Sequence, residues 1–505
     1  MIAGAPRFPR LGKPTNSVFQ ALENCATFPG RPMTTVLPMR KPIIAVSLIL
    51  LLVAIAMVAG ILRSGQTLPV AIQERQPGMD RPAKAGRVEE QAAIARGKLI
   101  PGSGVPTNMA GAWPNFRGPN HDNIVTDPTP LARQWGTHGP AQLWSLDLGE
   151  GFASAAVLNG RVYLIDYDQP AQADALRCLS LADGKEIWRF SYPIKIKRFH
   201  GMSRTIPAVT DRYAVSLGPK CQVVCVDALK GNLIWGLDLV KEFNSEVPQW
   251  YAGQCPLIDG DRVILAPGGD ALMIAVNLAT GKVVWKTPNP HDWKMTHSSI
   301  MPMDFNGKRM YVYCGSGGVV GVAADDGQLL WDTDAWIISI ATVASPLPVG
   351  AGKIFLSGGY NAGSLMLQLK LGENKIAAEP LFRLQPTEFG ATQQTPVLYE
   401  GHIYGVRPDG QLTCLDLNGK VCWASGGAAK FGSGPYLIAL GLIFVMNDDG
   451  VLTLAEASPL SYHPMAQARI LDGHDSWAPM ALAGGRLLAR DMTRMVCVDV
   501  SGVKP

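Results

Sequence analysis

Seven residues that could bind or transform a ligand occur at one recurring place in the chain, a few positions ahead of a proline. They comprise a guanidinium, two indoles, an imidazole, two amides and a carboxylate: Arg204, Trp250, Gln254, His297, Gln393, Asp475 and Trp477. A guanidinium suits an anionic group and an indole suits the face of a ring, so these types predict a site for an anionic aromatic ligand. His297 or Asp475 could act there as a general base. The competing interpretation is a polar, water-filled channel that satisfies its own hydrogen bonds.

The cysteines argue against zinc or haem chemistry. None of the nine adjoins another, and no Cys-x-x-Cys motif occurs. Zinc ribbons and c-type haem attachment need such pairs, so we predict no metal site. Four cysteines share one repeat position and are predicted to be small core residues: Cys178, Cys225, Cys414 and Cys497. No catalytic residue can be assigned from the sequence.

The segments that carry the seven residues form a repeat. A strand, a turn with glycine and a tryptophan four residues later recur as CLSLADGKEIW, CVDALKGNLIW, AVNLATGKVVW, GVAADDGQLLW and, shorter, CLDLNGKVCW. The first four tryptophans are 47, 50 and 46 residues apart, and the next gap of 92 contains one degenerate copy at residues 367–378. We predict that six tryptophans dock neighbouring units together: Trp144, Trp188, Trp235, Trp285, Trp331 and Trp423.

Prolines mark the same period. Pro207 and Pro479 bound six steps over 272 residues, and each unit offers four short alternating strands. Four-stranded units of this length are typical of propeller blades. The last unit lacks a tryptophan strand, and residues 143–148 supply one. The sequence therefore predicts an all-β, eight-bladed β-propeller closed by the N-terminal strand, which leaves few open sheet edges.

An uncharged run of 20 residues, 43–62, precedes the repeats. At 1.5 Å per residue such a helix is about 30 Å long, which matches the hydrocarbon core of a bilayer. Arg40 and Lys41 precede the run, so we predict a transmembrane helix or signal anchor with a cytoplasmic N-terminus and a propeller exported to the periplasm. The alternatives are a cleaved signal peptide and a buried core helix.

Four parts of the chain follow from these assignments. They are a cytoplasmic segment (1–42, whose natural start could be Met39), the membrane helix (43–62), a flexible or semi-rigid linker (63–112) and the propeller (113–505).

The positive charge of the chain lies in its first residues. Residues 1–41 carry a net charge of +5, whereas the whole chain carries +4, so the other residues sum to −1. Nucleic-acid binding needs a basic folded part, and we therefore exclude nucleic acid as a partner.

The blades resemble the pyrroloquinoline-quinone (PQQ)-like repeats of the quinoprotein alcohol dehydrogenase-like superfamily. The segment WPNFRGPNHDNIVTD, residues 113–127, is similar to the lead-in of exported PQQ-like repeat proteins. This resemblance implies a propeller over 113–505 and does not fix the activity, because one fold hosts many functions. For the dehydrogenases it implies PQQ on the ring axis under a vicinal disulfide, with calcium held by Glu and Asn and an Asp base. None of those residues can be matched to this sequence.

We therefore expect a membrane-anchored, exported binding or scaffold module of the bacterial cell envelope, not an enzyme. Its partner would be an envelope protein or a small ligand, and no cofactor is expected. The alternative is a PQQ-dependent oxidoreductase with a non-standard cofactor site, which would bind PQQ with Ca²⁺.

Overall fold

The described part of the chain contains one large folded unit. The structure, a computed structural model, describes residues 51–53, 55–56, 93–373 and 375–502. The chain divides into two compact units, Met1–Arg81 and Pro82–Pro505, and the fold below is that of the second. The predicted cytoplasmic segment and most of the predicted membrane helix lie outside the described residues. Within the described ranges, no helix is long and apolar enough to cross a bilayer.

Thirty-four strands make up the described fold, and they form eight sheets. The first three strands precede the repeats and join three different sheets: β1 (Lys98–Pro101), β2 (Ile124–Val125) and β3 (Ala141–Asp147). All other strands pair with their neighbours in sequence to form antiparallel blades. This arrangement confirms the predicted all-β, eight-bladed propeller.

Blades 1 to 4 each take four consecutive strands. Blade 1 comprises β4 (Ala156–Leu158), β5 (Arg161–Asp168), β6 (Ala173–Ser180) and β7 (Glu186–Pro193). Blade 2 comprises β8 (Ala208–Val209), β9 (Tyr213–Leu217), β10 (Gln222–Asp227) and β11 (Leu233–Asp238), and helix α1 (Leu239–Phe243) follows it. Blade 3 comprises β12 (Leu257–Asp259), β13 (Arg262–Leu265), β14 (Met273–Asn277) and β15 (Val283–Thr287), and blade 4 comprises β16 (Met301–Phe305), β17 (Lys308–Gly315), β18 (Gly318–Ala323) and β19 (Leu329–Thr333).

Blades 5 to 7 repeat the pattern, and blade 8 combines three C-terminal strands with β3. Blade 5 comprises β20 (Leu347–Gly350), β21 (Lys353–Gly358), β22 (Gly363–Leu371) and β23 (Ile376–Leu384), and blade 6 comprises β24 (Val397–Tyr399), β25 (His402–Val406), β26 (Leu412–Asp416) and β27 (Val421–Ala424). Blade 7 comprises β28 (Tyr436–Ala439), β29 (Leu442–Met446), β30 (Val451–Glu456) and β31 (Pro464–Arg469). The C-terminal strands of blade 8 are β32 (Ala481–Ala483), β33 (Arg486–Arg490) and β34 (Arg494–Asp499).

The tryptophan and glycine of the repeat touch across neighbouring blades. A Cβ on Gly231 of blade 2 would lie 2.6 Å from the indole of Trp188 in blade 1, so only glycine fits beneath that ring. Gly231 also has a φ of +76°, which favours glycine. The Trp188 indole nitrogen donates to the Leu229 carbonyl 3.2 Å away. The spacing of the motif therefore reflects contact between blades as well as the turn within one blade.

Part of the stretch predicted to be a flexible or semi-rigid linker, residues 63–112, is paired with the propeller. From Lys98 to Pro101 the chain pairs with β7 and adds a fifth strand to blade 1. Ile94, just upstream, is buried against Gly236 of blade 2. The stretch is polar and proline-rich in sequence, but its backbone groups find partners on the open edge of blade 1.

Candidate functional site: an axial cavity

Loops that join the outer strand of one blade to the inner strand of the next converge on the ring axis around a cavity of about 360 Å³. The repeat positions these loops equivalently, so residues distant in sequence meet there. Five of the seven predicted site residues line the cavity: Arg204, Trp250, His297, Gln393 and Trp477.

The two other predicted residues point elsewhere. Gln254 is fully buried, and its side-chain amide both accepts from the Ala266 N–H at 2.8 Å and donates to the Ala266 carbonyl at 3.3 Å. Asp475 lines a separate cleft and lies 3.1 Å from the His474 ring nitrogen. Asp475 has a φ of +55°, in the left-handed region, and its side chain is not part of the cavity lining, whereas that of Trp477 is. Sequence position alone does not resolve such local reversals.

Arg204 is the cationic centre of the cavity. Its Nε donates to the Trp250 carbonyl at 2.5 Å, and its Nη2 donates to the carbonyls of His200 and Gly201. Burial lowers the pKa of Arg204 to about 10, so the guanidinium remains charged at neutral pH. The contacts fix the guanidinium to the two loops on either side of blade 2.

Aromatic rings form the walls beside Arg204. Phe152 and Trp477 stack with ring centroids 5.4 Å apart, and the guanidinium carbon of Arg204 lies 5.1 Å from the centroid of Phe152. Trp250 lies 6.2 Å from His297, tilted by 42°. Trp250 has a φ of +65° and its neighbour Tyr251 one of +72°, both unusual for bulky residues. Such strain is concentrated at binding sites, where surrounding contacts hold it in place.

His297 is a neutral hydrogen-bonding group at pH 7. Burial, together with the nearby charge of Arg204, lowers the pKa of His297 to about 4. An imidazole with this pKa is a weak base and carries no charge at neutral pH. It can orient a polar ligand atom, but it is poorly matched to general-base catalysis near pH 7.

The lead-in segment forms one side of the cavity, which sequence reasoning missed. Phe116, Arg117 and Asn123 line the cavity. Arg117 donates to the Thr395 and Pro396 carbonyls ahead of blade 6, at 2.9 and 3.0 Å. At its start the segment pairs with blade 1 through Trp113, so it crosses between distant blades. The available signal was the motif itself, which the sequence places at the start of the propeller, after the predicted linker.

The lining of the cavity does not offer the ligands of the PQQ–calcium pair that the superfamily implies. Calcium prefers 6–8 oxygen ligands, with carboxylates prominent among them. The lining contains two arginines and two histidines, and neither Asp nor Glu is among its residues. Across the described ranges, no cluster of three or more His, Cys, Asp or Glu residues could hold a metal ion. These residues do not fit a calcium-dependent cofactor site.

The chain matches the model of a known protein family. The family model described as outer membrane protein assembly factor BamB matches residues 172–425, just over half of the 505 residues. The chain belongs to this family. Its PQQ-type repeats also relate the BamB-like propeller to the quinoprotein alcohol dehydrogenase PedH of Pseudomonas putida, with 29% identity over 170 residues. That match covers 31% of this chain and 27% of PedH, so the chain spans about a quarter of the length of this relative.

Solved structures show the same fold for this BamB-family chain. BamB from Moraxella catarrhalis aligns with a TM-score of 0.51 at 14% identity, over 71% of this chain and 99% of that one. A europium-containing methanol dehydrogenase aligns with a TM-score of 0.53 at 13% identity, over 77% of this chain and 89% of the enzyme. Similarity at this level of identity establishes the propeller and leaves the activity to be argued from the site.

Proposed function

We propose that this chain is an exported, membrane-anchored binding module of the cell envelope, whose propeller presents the axial cavity to a small ligand. The observation that carries the proposal is the cavity itself, which combines aromatic walls with a buried cation and no carboxylate in its lining. Pockets that combine apolar walls with a few directed polar groups are typical ligand sites. An envelope protein that docks on a face of the ring is the partner we expect.

Binding is favoured over chemistry by the groups that face the cavity. His297 is a weak base because of its lowered pKa, and Asp475, the other predicted base, lines a different cleft. The alternative, a PQQ-dependent oxidoreductase, needs a calcium ligand set that the lining does not offer.

A titration separates the two functions. The full chain, purified in detergent, is mixed with PQQ and CaCl₂, and retained cofactor is followed by absorbance after gel filtration together with the melting temperature. A ligand at 100 times its Kd adds about 2.7 kcal/mol of stability. We expect no calcium-dependent retention or stabilisation. Retention of PQQ that EDTA abolishes would favour the oxidoreductase.

The membrane anchor rests on the run at residues 43–62. Changing Leu51 and Leu52 together to Arg should move the chain out of the membrane fraction, because charges at mid-helix cost about 2.5–3.5 kcal/mol each on insertion. Leu440→Arg, at an exposed leucine of the propeller, is the matched control and should leave fractionation unchanged. A wild-type propeller that protease cannot reach from the periplasmic side would contradict export.

We also propose that β3 closes the ring. Its support is the antiparallel pairing of β3 with β34 and the hydrogen bond of the Trp144 indole to the Leu181 carbonyl of blade 1, at 2.9 Å. Trp144→Ala should destabilise the propeller by about 3–5 kcal/mol, as loss of a buried tryptophan does. Leu143→Ala, at the more exposed neighbour, should cost far less. Equal, small changes in melting temperature would contradict closure.

A further inference from the structure

We infer that the axial cavity selects a planar aromatic ligand with one anionic group, such as an aromatic monocarboxylate, and binds it without a divalent cation. The inference rests on the proposed ligand-binding function and adds the chemical class of the ligand. It follows from a comparison of Arg204, which is half-buried in the cavity wall, with two buried arginines, Arg117 and Arg490.

Arg117 and Arg490 are buried arginines whose guanidinium nitrogens all have hydrogen-bond partners. Each uses all three nitrogens on backbone carbonyls: Arg117 reaches His121, Asp122, Thr395 and Pro396, and Arg490 reaches Gly149, Ala153, Asp491 and Met492. Four of the five N–H groups of each guanidinium then donate to carbonyl dipoles, which stabilise the buried charge and leave at most one N–H for a ligand.

Arg204 is the exception. Its Nε and Nη2 are held by carbonyls, whereas its Nη1 makes no hydrogen bond with any described residue. No carboxylate of a described residue forms an ion pair with it either, although its neighbour Arg198 pairs with Glu150. Because the guanidinium is fixed from behind and lines the cavity, an anion that reaches Nη1 would complete its coordination.

The ring of the ligand is indicated by Trp250. Its described aromatic contacts, with Phe199 at 46° and His297 at 42°, are tilted, so neither neighbour stacks flat on the indole. Phe152, by contrast, already has Trp477 stacked and Arg204 beside it. An aromatic ring placed between Trp250 and the guanidinium would gain the stacking energy that the protein leaves unused.

A single anionic group follows from the remaining polar groups. His297 is uncharged at neutral pH, Gln393 is a neutral amide, and the guanidinium of Arg117 already donates to four backbone carbonyls from its three nitrogens. A second carboxylate would therefore lose its hydration without meeting another cation that has an unbonded nitrogen. No metal is required, because Arg204 supplies the positive charge.

The test is isothermal titration of the full chain in detergent, with EDTA present, using 2-naphthoate and its uncharged analogue 2-naphthamide. We expect 2-naphthoate to bind at least tenfold more tightly, about 1.4 kcal/mol. Arg204→Gln should erase this preference while leaving the affinity for 2-naphthamide within twofold, which also reports that the cavity is intact. Arg198→Gln, an exposed arginine of the same loop, is the matched control and should change neither affinity. The dianion 2,6-naphthalenedicarboxylate should bind more weakly than 2-naphthoate.

The outcomes separate this inference from the function on which it rests. Equal affinities for 2-naphthoate and 2-naphthamide, or a preference that appears only with Ca²⁺, would overturn the inference and leave the cavity a ligand site of other chemistry. Failure of every probe to bind, PQQ with Ca²⁺ included, would overturn the ligand-binding function as well.

Discussion

The junction of blades 8 and 1 and the axial cavity each contain an arginine held by backbone carbonyls, but Arg490 of the junction is buried and Arg204 of the cavity is half-buried. At the junction, Arg490 is 1% exposed and all three nitrogens donate to carbonyls. In the cavity, Arg204 has the same pKa of about 10 and the same carbonyl contacts on two nitrogens, but the third is open. An arginine whose three nitrogens all donate to carbonyls stabilises the fold, whereas an arginine with one unbonded nitrogen can still bind a ligand.

Of the two arginines, Arg490 should have the larger effect on stability. In Arg490→Gln, several carbonyls lose a buried charged donor at once, and each buried acceptor left unsatisfied costs about 1–3 kcal/mol. We expect a loss of about 3 kcal/mol or more in the free energy of unfolding, measured by denaturant titration. A loss no larger than that of Arg204→Gln would break the distinction between the two regions.

Two buried groups should give opposite dependences of stability on pH. Burial lowers the pKa of His297 to about 4, so the unfolded chain binds the proton more tightly and stability falls as pH drops from 6.5 towards 4. Burial raises the pKa of Asp174, in the core of blade 1, to about 7, so stability falls as pH rises from 3.8 through 7. Each slope is at most about 1.4 kcal/mol per pH unit.

The two slopes partly cancel in the wild type, and variants should separate them. His297→Gln should make the chain less sensitive to acid, whereas Asp174→Asn should make it more sensitive. Melting temperatures recorded between pH 4 and 7 report both. If the melting temperatures of both variants depended on pH in the same way, the predicted pKa shifts of His297 and Asp174 would be wrong.

Two glutamines that look alike in sequence should differ in their effect on stability. Gln254→Ala removes two hydrogen bonds to the Ala266 backbone in the core and should cost about 1–3 kcal/mol. Gln393 makes no hydrogen bond with a described residue, so Gln393→Ala should change stability by less than about 0.5 kcal/mol. The pair is compared by thermal unfolding, and equal losses would mean that Gln393 is held by the protein.

Arg204 itself should change stability much less than Arg490 does. In Arg204→Gln, water can reach the vacated carbonyls from the cavity, and an incompletely paired buried charge is removed, so we expect a change of about 1 kcal/mol or less. Its effect on binding of an aromatic anion should be larger than its effect on unfolding. A destabilisation as great as that of Arg490→Gln would make Arg204 a structural residue.

Sequence reasoning located most of the cavity because the repeat is regular. Arg204, Trp250, His297, Gln393 and Trp477 precede equivalent prolines, and equivalent positions of a ring meet at its axis. Gln254 and Asp475 share that spacing and nevertheless point away, because one is drawn into the blade core and the other lies in a left-handed turn. A period of about 45 residues fixes a loop but not the direction of each side chain in it.

The repeat did not predict where the lead-in segment, residues 113–127, would lie. Arg117 lies 278 residues from Thr395 in sequence, and no repeat relates them. The degenerate unit of blade 5 was located by spacing, but its substitute for tryptophan was not. Phe382 lies 2.6 Å from where a Cβ on Gly419 of blade 6 would be, the place that an indole takes in other blades.

The sequence by itself determined the number of blades, the tryptophans that recur once per blade and the loops that face the axis, because each is a local pattern repeated with a nearly constant period. Only the tertiary structure decided which donors remain unfilled. Whether Nη1 of Arg204 has a partner depends on carbonyls from Trp250, His200 and Gly201, and those carbonyls are placed by the packing of whole loops. Hydrogen-bond satisfaction is a property of the assembled ring, and it is what separates the structural arginines from the one that faces the cavity.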